Sequence, residues 1–278
     1  MVTYHRDDTL MESLRRLLAS SRKPDEILIV DNGRSADLPA RLKEFSYPIQ
    51  LLYPEGNVGC AGLNLAFQRA VGAFIFCFDD DSFPAPDCLE KTMAAFAADA
   101  GLGMVGFKLH DPVTREPWHD RWWNPNSSVP QPTVFCPGCG LVFRNDPRLP
   151  QEICVPDIVS QAHELSMAAE VLRLGYRIEF RPECVAYHPN TGPGYQGAKA
   201  VAGNRNQLRF LIRYADGLRL GVLLMSQLWR AVARQPNEAR FALKYCFSAR
   251  RRPLPRRVAA QFREVFSWHI HPRLGRLI

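Results

Sequence analysis

Three consecutive aspartates placed directly after an apolar run constrain this chain most. Residues 74–78 are Phe-Ile-Phe-Cys-Phe, too few for an independent helix, and Asp79, Asp80 and Asp81 follow at once. The run predicts a β-strand buried on both faces, with the acids at its carboxyl end, which is the ligand-binding edge of an open α/β sheet. Adjacent carboxylates repel one another, so a counter-charge such as Mg²⁺ or Mn²⁺ is expected there. A solvated acidic turn is the alternative.

The length of 278 residues accommodates one large α/β domain with an appendage, or two small domains. No apolar run reaches the roughly 18 residues that a membrane-spanning helix needs, and no signal peptide is predicted. Most of the eight cysteines lie inside apolar runs, which indicates reduced thiols in a cytoplasmic protein.

The formal net charge of +7 is concentrated in the last third of the chain. Arginines lie at positions 205, 209, 213 and 219, and five more crowd residues 250–257. Such a region suits nucleic acid, anionic lipid headgroups or a phosphorylated substrate, whereas the alternative is simply an arginine-rich surface.

Strands and helices alternate through the first 110 residues, which predicts a doubly wound, mostly parallel sheet. The expected strands are 26–30, 49–53, 74–78 and 103–109, and the expected helices are 10–20, 38–45 and 86–98. Asp8 or Thr9 is expected to cap the first helix. Val2-Thr3-Tyr4 has the pattern of a strand end, so either the start is late or the first strand is short.

Two loops at the expected sheet edge carry polar groups or small residues. Asp31-Asn-Gly follows the second strand and lies on the same edge as the aspartate triplet. Residues 55–64, Glu-Gly-Asn-Val-Gly-Cys-Ala-Gly-Leu-Asn, open a helix and let a phosphate or ribose approach free backbone N–H groups.

The alternation breaks in the long loop 110–132. Trp118, Trp122 and Trp123 suit stacking on a sugar ring or another flat acceptor; aromatic residues filling the edge of a core are the alternative. Cys136-Pro-Gly-Cys139 is one C-x-x-C pair followed by a predicted strand, which argues against both a zinc site and a thioredoxin-like motif. Its glycines instead allow a substrate to approach closely.

Later residues offer a candidate base, a candidate metal ligand and a membrane-facing region. Glu164 lies near the start of a helix predicted over 158–174, where it complements the helix dipole or acts as a general base. His188 ends a short strand and is either structural or a ligand. Helices are predicted over 199–214 and 218–232. The second of them, with residues 241–247 and the arginine cluster that follow, is amphipathic and basic, which suits a membrane interface; packing on the main domain or on a second subunit is the competing interpretation.

In their order and spacing, these motifs resemble family 2 glycosyltransferases, including rhamnosyltransferase-like members. The motifs that carry the resemblance over residues 1–215 are Val2-Thr-Tyr-His-Arg6, Val30-Asp-Asn-Gly33, Asn57-Val-Gly59 with Asn64, Phe78-Asp-Asp-Asp81, Gly138-Cys-Gly140, His163-Glu164 before Leu174-Gly-Tyr-Arg177, Pro182, Tyr187-His188 and Arg205-Asn206.

The resemblance implies an inverting enzyme of the GT-A fold, with a doubly wound mixed sheet and a helical C-terminal extension. It implies a catalytic domain over 1–197, with a donor half 1–110 and an acceptor half 111–197, followed by a basic extension over 198–278. A donor linked to UDP or dTDP, an acceptor that is a carbohydrate, glycolipid or natural product, and a homodimer are compatible with it.

The resemblance also implies site roles. Asp81 and His188 correspond to the Mg²⁺ or Mn²⁺ ligands, and Glu164 falls at the catalytic base, where many members have Glu-Asp and this chain has His-Glu. The donor-binding positions are Thr3, Tyr4, Arg6, Asp31, Asn57, Gly59, Asn64, Asp79 and Asp80. The acceptor-binding positions are Trp118, Trp122, Trp123, Gly138, Cys139, Gly140 and His163.

Other functions also accommodate the aspartate triplet. A haloacid-dehalogenase-type sugar phosphatase would use Asp79 as nucleophile, although no downstream lysine and acidic pair follows in the expected order. A nucleotidyltransferase lacks its glycine-rich basic loop here. A non-catalytic nucleotide-sugar binding module is compatible with the same loops, whereas an acidic triplet disfavours a nucleic-acid partner.

Overall fold

The computed structural model describes residues 1–118, 127–158, 162–190, 198–233, 236–263 and 266. The chain divides into two compact units. The first comprises 1–159 and 163–192, and the second comprises 160–162 and 193–278.

The first unit is a mixed α/β structure. Its strands are β1 Val2–Thr3, β2 Ile27–Asp31, β3 Ile49–Leu52, β4 Phe74–Cys77, β5 Phe83–Pro84, β6 Leu102–His110, β7 Gln131–Pro132, β8 Leu141–Arg144 and β9 Arg177–Tyr187. Its helices are α1 Asp7–Leu18, α2 Leu38–Arg41, α3 Leu63–Phe67, α4 Cys88–Ala98 and α5 His163–Arg173, with 3₁₀ turns at Leu42–Glu44 and Gly59–Gly62.

The strands form two sheets. β1, β2 and β3 make a parallel sheet in that order, and a second sheet has the order β4-β8-β6-β9-β5 with β7 beside β9. The expected α/β class is confirmed. The expected mostly parallel sheet is wrong for the second sheet, because β6 with β9 is its only parallel pair among the described residues.

The strand before the aspartates lies at a sheet end. β4 pairs antiparallel with β8, from Phe74 opposite Arg144 to Cys77 opposite Leu141. Three of its four residues are half-buried, so the prediction of a strand buried on both faces is wrong. An apolar groove of about 270 Å³ runs along its other edge and is also lined by Met1 and by β2. Within the described residues, no strand pairs with β4 at that edge.

The first helix begins earlier than its sequence pattern predicts. Asp7 and Asp8 lie in its first turn, where they complement the dipole, and Arg6 is the residue before it, without a side-chain cap. The expected cap by Asp8 or Thr9 is therefore wrong, because Asp7 already begins the helix and its carboxylate accepts from Ser35 Oγ. The face with Leu10, Met11, Leu14 and Leu17 packs into the core.

The eight thiols are all free, and six of them are buried. Burial raises the pKa of Cys77 to about 12 and that of Cys184 to about 11. Cys60 and Cys246 are the two partly accessible thiols. The C-x-x-C pair Cys136 and Cys139 therefore forms no disulfide, and burial raises the pKa of both thiols.

The second unit is helical where it is described. Its helices are α6 Ala198–Tyr214, α7 Gly217–Val232, α8 Pro236–Ser248 and α9 Arg256–Ala259, followed by a 3₁₀ turn at Ala260–Phe262. Asp216 caps α7, because its Oδ1 accepts the Arg219 N–H at 2.9 Å. Phe210 packs on Tyr214 and Phe262 at ring-centroid distances of 4.9 and 5.3 Å. Among the described helices, none combines the length and apolar character needed to cross a bilayer.

Candidate functional site

The aspartate triplet forms a tight turn between β4 and β5. The Asp79 N–H donates to Ser82 Oγ at 2.7 Å, and the buried Ser82 side chain closes the turn. β5 then pairs with β9, with Phe83 opposite Tyr187. This pairing brings His188, the residue after β9, to the carboxylates, where the family resemblance placed it beside Asp81.

Asp80 points to the N-terminal segment. Its Oδ2 accepts from Thr3 Oγ1 at 2.9 Å and its Oδ1 from Arg6 Nη1 at 2.8 Å, and its side chain is buried. Burial raises the pKa of Asp80 to about 6, although the bond from Thr3 and the charge of Arg6 oppose this shift. Thr3 and Arg6 were predicted to bind a donor; in this structure they hold Asp80.

Asp81 has two basic partners. Arg6 Nη2 donates to its Oδ2 at 2.7 Å, and His188 Nε2 lies 3.1 Å from its Oδ1. Burial favours the protonated carboxyl, but the hydrogen bond and charge of His188, followed by those of Arg6, outweigh burial and hold the pKa of Asp81 well below its usual range. Arg6 thus supplies a positive charge beside Asp80 and Asp81, and the His188 ring nitrogen lies against Asp81 from another side.

His188 is oriented for binding a cation. Its Nδ1 lies 3.0 Å from the Pro189 carbonyl oxygen, which leaves Nε2 facing Asp81 and, at 3.7 Å, Asp79 Oδ2. Trp118 Nε1 donates to the His188 carbonyl oxygen at 3.1 Å, and the two rings meet edge to face at 5.0 Å. Burial lowers the pKa of His188, but the bond to Asp81 and the charges of Asp81 and Asp79 raise it overall.

These side chains fit a divalent cation. Ligand atoms of Asp79, Cys139 and His188 all lie within 4.8 Å of one another, and Asp81 adds a further carboxylate to the His188 nitrogen. Carboxylate oxygen with imidazole nitrogen suits Mn²⁺, and carboxylate oxygen suits Mg²⁺. A carbonyl acceptor on the other histidine nitrogen is the usual second partner of a metal-binding histidine.

The loop after β2 is built on Asp31, which is fully buried. Its Oδ1 accepts the Gly33 N–H and its Oδ2 the Ser35 N–H, each at 2.8 Å. The adjacent Asn32 joins this loop to the next one, because its Oδ1 accepts the Val58 N–H at 3.1 Å. The sequence did not single out this linking role of Asn32, for which its place in the Asp-Asn-Gly turn was the available signal.

Asp31→Asn is expected to destabilise the first unit. An amide nitrogen would replace one acceptor oxygen and leave a backbone N–H without its partner, at a cost of about 2–3 kcal/mol. The melting temperature should fall by roughly 5–10 °C. Asp37→Asn is the control, because Asp37 is exposed and its side chain makes no cap bond to the adjacent helix. Equal melting temperatures for the two variants would assign Asp31 no structural role.

Asn57, Gly59 and Asn64 shape the following loop. Asn57 Oδ1 accepts the Gly59 N–H at 3.0 Å, and Gly59 has a φ of 57°. Asn64 is buried and bonds the Cys154 backbone twice, through Oδ1 at 2.9 Å and Nδ2 at 2.8 Å. These contacts are structural. Donor binding by Asn57, Gly59, Asn64, Asp31 and the half-exposed Tyr4 stays a prediction.

Glu164 lies in the first turn of α5 and is buried. Its Oε1 accepts the Gly138 N–H at 2.9 Å. A Cβ at Gly138 would lie 2.7 Å from His163 Nε2 and 2.9 Å from Glu164 Oε1, so only glycine allows the loop this close. At Gly140, a Cβ would meet Leu109 at 2.8 Å, which gives that glycine a packing role.

The second oxygen of Glu164 makes no hydrogen bond. Glu164 Oε2 and His163 Nδ1 are both buried without such a partner, and they lie 3.4 Å apart. Burial lowers the pKa of His163, but the charge of Glu164 and a contact with Cys60 raise it to about 10. The His163 ring therefore lies against the Glu164 carboxyl group, whose Oε2 makes no hydrogen bond.

Cys139 connects the two halves of the site. Its thiol is buried, and after burial the charges of Asp79, Glu164 and Asp81 are the main causes that raise its pKa. The candidate base and the aspartate cluster are thus within electrostatic reach of one thiol. Of the predicted acceptor positions, Trp118, Gly138, Gly140, Cys139 and His163 are described here, and Trp122 and Trp123 lie outside the described residues.

Comparison with solved structures identifies the fold. GalNAc-T7 with UDP, GalNAc and Mn²⁺ superposes with a TM-score of 0.59 at 13% identity, covering 88% of this chain and 53% of that one. The S. aureus TarS fragment in complex with UDP-GlcNAc gives a TM-score of 0.58 at 15% identity, covering 100% of this chain and 82% of that one. The expected GT-A fold is confirmed.

Sequence comparison gives the family. Galactofuranosyltransferase GlfT1 of Mycobacterium tuberculosis is 33% identical over 111 residues, which is 38% of this chain and 36% of that protein. The match thus spans little more than a third of that curated relative's length. The model of the family described as glycosyl transferase family 2 matches residues 1–144, more than half of the 278 residues. The chain belongs to glycosyl transferase family 2.

Proposed function

We propose that this protein transfers a sugar from a nucleotide-diphosphate donor to an acceptor hydroxyl, with inversion at the anomeric carbon. The observation that carries the proposal is the free Oε2 of Glu164, a buried carboxylate oxygen within electrostatic reach of the aspartate and histidine cluster. Family membership supports glycosyl transfer. A UDP-linked donor is supported by the solved relatives that contain UDP or UDP-GlcNAc, and a dTDP-linked donor is the second candidate.

The donor end of the site is the aspartate turn. Asp79, Asp81 and His188 would hold Mg²⁺ or Mn²⁺, which when bound supplies the positive charge that stabilises a leaving diphosphate. Mn²⁺ is supported by the GalNAc-T7 structure, which contains it. Arg6 bonds Asp80 and Asp81 at 2.8 and 2.7 Å while its side chain stays 47% exposed, so it would also offer its guanidinium to the donor diphosphate.

Glu164 would act as the general base. Its Oε2 accepts the proton of the acceptor hydroxyl while that oxygen attacks the anomeric carbon on the face opposite the leaving group, which inverts the configuration. The Gly138 N–H fixes Oε1, so the carboxylate presents the other oxygen. His163 is a positioning residue in this scheme, because its Nδ1 lies 3.4 Å from Glu164 Oε2 and helps to fix the orientation of that side chain.

The proposed division of labour follows the sequence prediction. Residues 1–197 would form the catalytic domain, with donor loops in 1–110 and acceptor contacts in 111–197, and 198–278 would form the extension. The Gly138 N–H donates to Glu164, and the Cys139 thiol lies within electrostatic reach of Glu164 and Asp79, which supports contact of this loop with the acceptor; Gly140 would assist by letting the loop pack closely. Trp118 supports His188 directly, so its role in acceptor binding would be secondary.

Thermal unfolding with a panel of UDP and dTDP sugars, each with and without Mn²⁺, tests this proposal. A ligand that binds the native state at about 100 times its Kd stabilises it by about 2.7 kcal/mol. We expect a metal-dependent rise in melting temperature with one nucleotide, and transfer when an acceptor is supplied. Binding without hydrolysis or transfer would indicate a non-catalytic binding module. Phosphate release from sugar phosphates, without any nucleotide effect, would indicate a phosphatase.

A further inference from the structure

Helix α7 presents an apolar stripe to solvent. Leu218, Met225, Trp229 and Val232 recur at intervals of seven, four and three residues, so they share one helix face. Their exposed fractions are 74, 60, 51 and 84%, and the neighbouring Leu228 is 59% exposed. The opposite face, with Leu223, Ser226 and Gln227, is buried. Contiguous exposed apolar side chains of this size indicate an interaction surface.

Helix α8 shows the same pattern beside basic residues. Phe247 is 91% exposed and Leu243, one turn earlier, is 38% exposed. Arg240 and Lys244 are exposed on the same side of the helix, three residues before Leu243 and Phe247 respectively. Ala239, Ala242 and Tyr245 form the buried face. In both helices, therefore, one face is buried while large apolar side chains on the other face are exposed to solvent.

The charge of this part of the chain indicates the occupant. Residues 193–278 contain 17 Lys and Arg but only three Asp and Glu, so the excess positive charge of the whole chain comes from here. Two of the acids are paired, Asp216 with Arg219 and Glu238 with Arg205. An exposed apolar stripe among many cations complements anionic lipid, whose headgroups attract lysine and arginine while its acyl chains accept the apolar side chains.

We propose that α7 and α8 dock this protein on the surface of an anionic bilayer. The helices lie in the plane of the interface, with Met225, Val232 and Phe247 inserted below the headgroups. A nucleic acid would use the cations but would leave the apolar stripe exposed, and a second copy would bring like charges together. The proposal adds a partner to the proposed transfer reaction and does not depend on that reaction.

Sedimentation with vesicles tests the proposal on the full chain. We expect binding to phosphatidylcholine vesicles that contain about one third phosphatidylglycerol, weakening as salt rises, and little binding to phosphatidylcholine alone. Met225→Glu with Val232→Glu, and separately Phe247→Glu, should each lower the partition coefficient by about tenfold or more. The donor-induced thermal shift should not change in these variants, which separates loss of docking from loss of the donor site.

A matched variant controls for added negative charge. Val71 and Val113 are 86 and 87% exposed in the first unit, so Val71→Glu with Val113→Glu adds the same two charges without altering α7 or α8. This control should bind vesicles nearly as the unaltered protein does. Equal losses in both double variants, or no vesicle binding by the unaltered protein, would overturn the proposal. A dimer in light scattering that Met225→Glu with Val232→Glu dissociates would instead assign the stripe to a second copy.

Discussion

Glu164→Gln is expected to lower the transfer rate about a thousandfold, within the range usual for loss of a general base. The glutamine amide oxygen can still accept the Gly138 N–H, so the loop before β8 should keep its position. The amide nitrogen, however, cannot take a proton from an acceptor hydroxyl. Because Glu164 makes no contact with the donor loops in the proposed scheme, the donor-induced thermal shift should remain. The measurement is the initial rate of sugar transfer at saturating donor.

A second glutamate on the same helix provides the control. Glu170 is also buried, and it pairs with Arg173 at 3.5 Å rather than facing the site. Glu170→Gln should affect stability but not the rate per folded molecule. Glu164→Asp tests whether the length of the side chain matters. It keeps a carboxylate on a side chain one methylene shorter, so its transfer rate should lie between those of Glu164→Gln and the unaltered protein. A Glu164→Gln protein that turns over normally would rule Glu164 out as the base.

Asp81→Asn should abolish the effect of Mn²⁺ on donor binding. The Asp81 carboxylate contacts both Arg6 and His188. Replacing it with an amide removes a charged oxygen from the proposed metal site. If the metal no longer stabilises the leaving diphosphate, the activation free energy should rise by about 4 kcal/mol, which corresponds to a transfer rate about a thousandfold lower. Calorimetric titration of Mn²⁺, alone and with the nucleotide, measures the binding directly.

Asp87→Asn controls for the loss of one negative charge. Asp87 is exposed, and its pair with Lys91 at 2.7 Å is a surface contact of little energetic weight. This variant should bind Mn²⁺ and donor normally. If Asp81→Asn binds Mn²⁺ as the unaltered protein does, the ion is held by other residues, and the proposed donor site loses its basis.

The positions of the site residues were largely predictable from local pattern. Asp79 to Asp81 and His188 were each expected at the end of a strand, and the family resemblance joined Asp81 with His188 in one metal site. The hydrogen-bond partners of these side chains could not be predicted from the sequence. Thr3 and Arg6 reach Asp80 across 77 and 74 residues, and such long-range pairings leave no local signal.

Sheet order was the main failure of the sequence interpretation. An apolar, aromatic strand can have the same composition in the middle of a parallel sheet and at the end of a mixed one. Composition reflects the apolar surroundings of a strand but does not identify the strand that pairs with it. The pairing of β4 with β8 is decided by contacts between residues about seventy positions apart. The His163–Glu164 contact was also hidden, since it depends on a loop glycine that admits both side chains.

The distribution of accessible thiols makes this protein suitable for labelling at two sites. Six of the eight cysteines are buried, and the two partly accessible ones fall in different units, Cys60 in the first and Cys246 in the second. Burial raises the pKa of Cys246, so its thiolate is scarce at neutral pH and it should couple slowly. Fluorophores could therefore be attached without introducing a cysteine, and energy transfer between them would report the separation of the two units in solution.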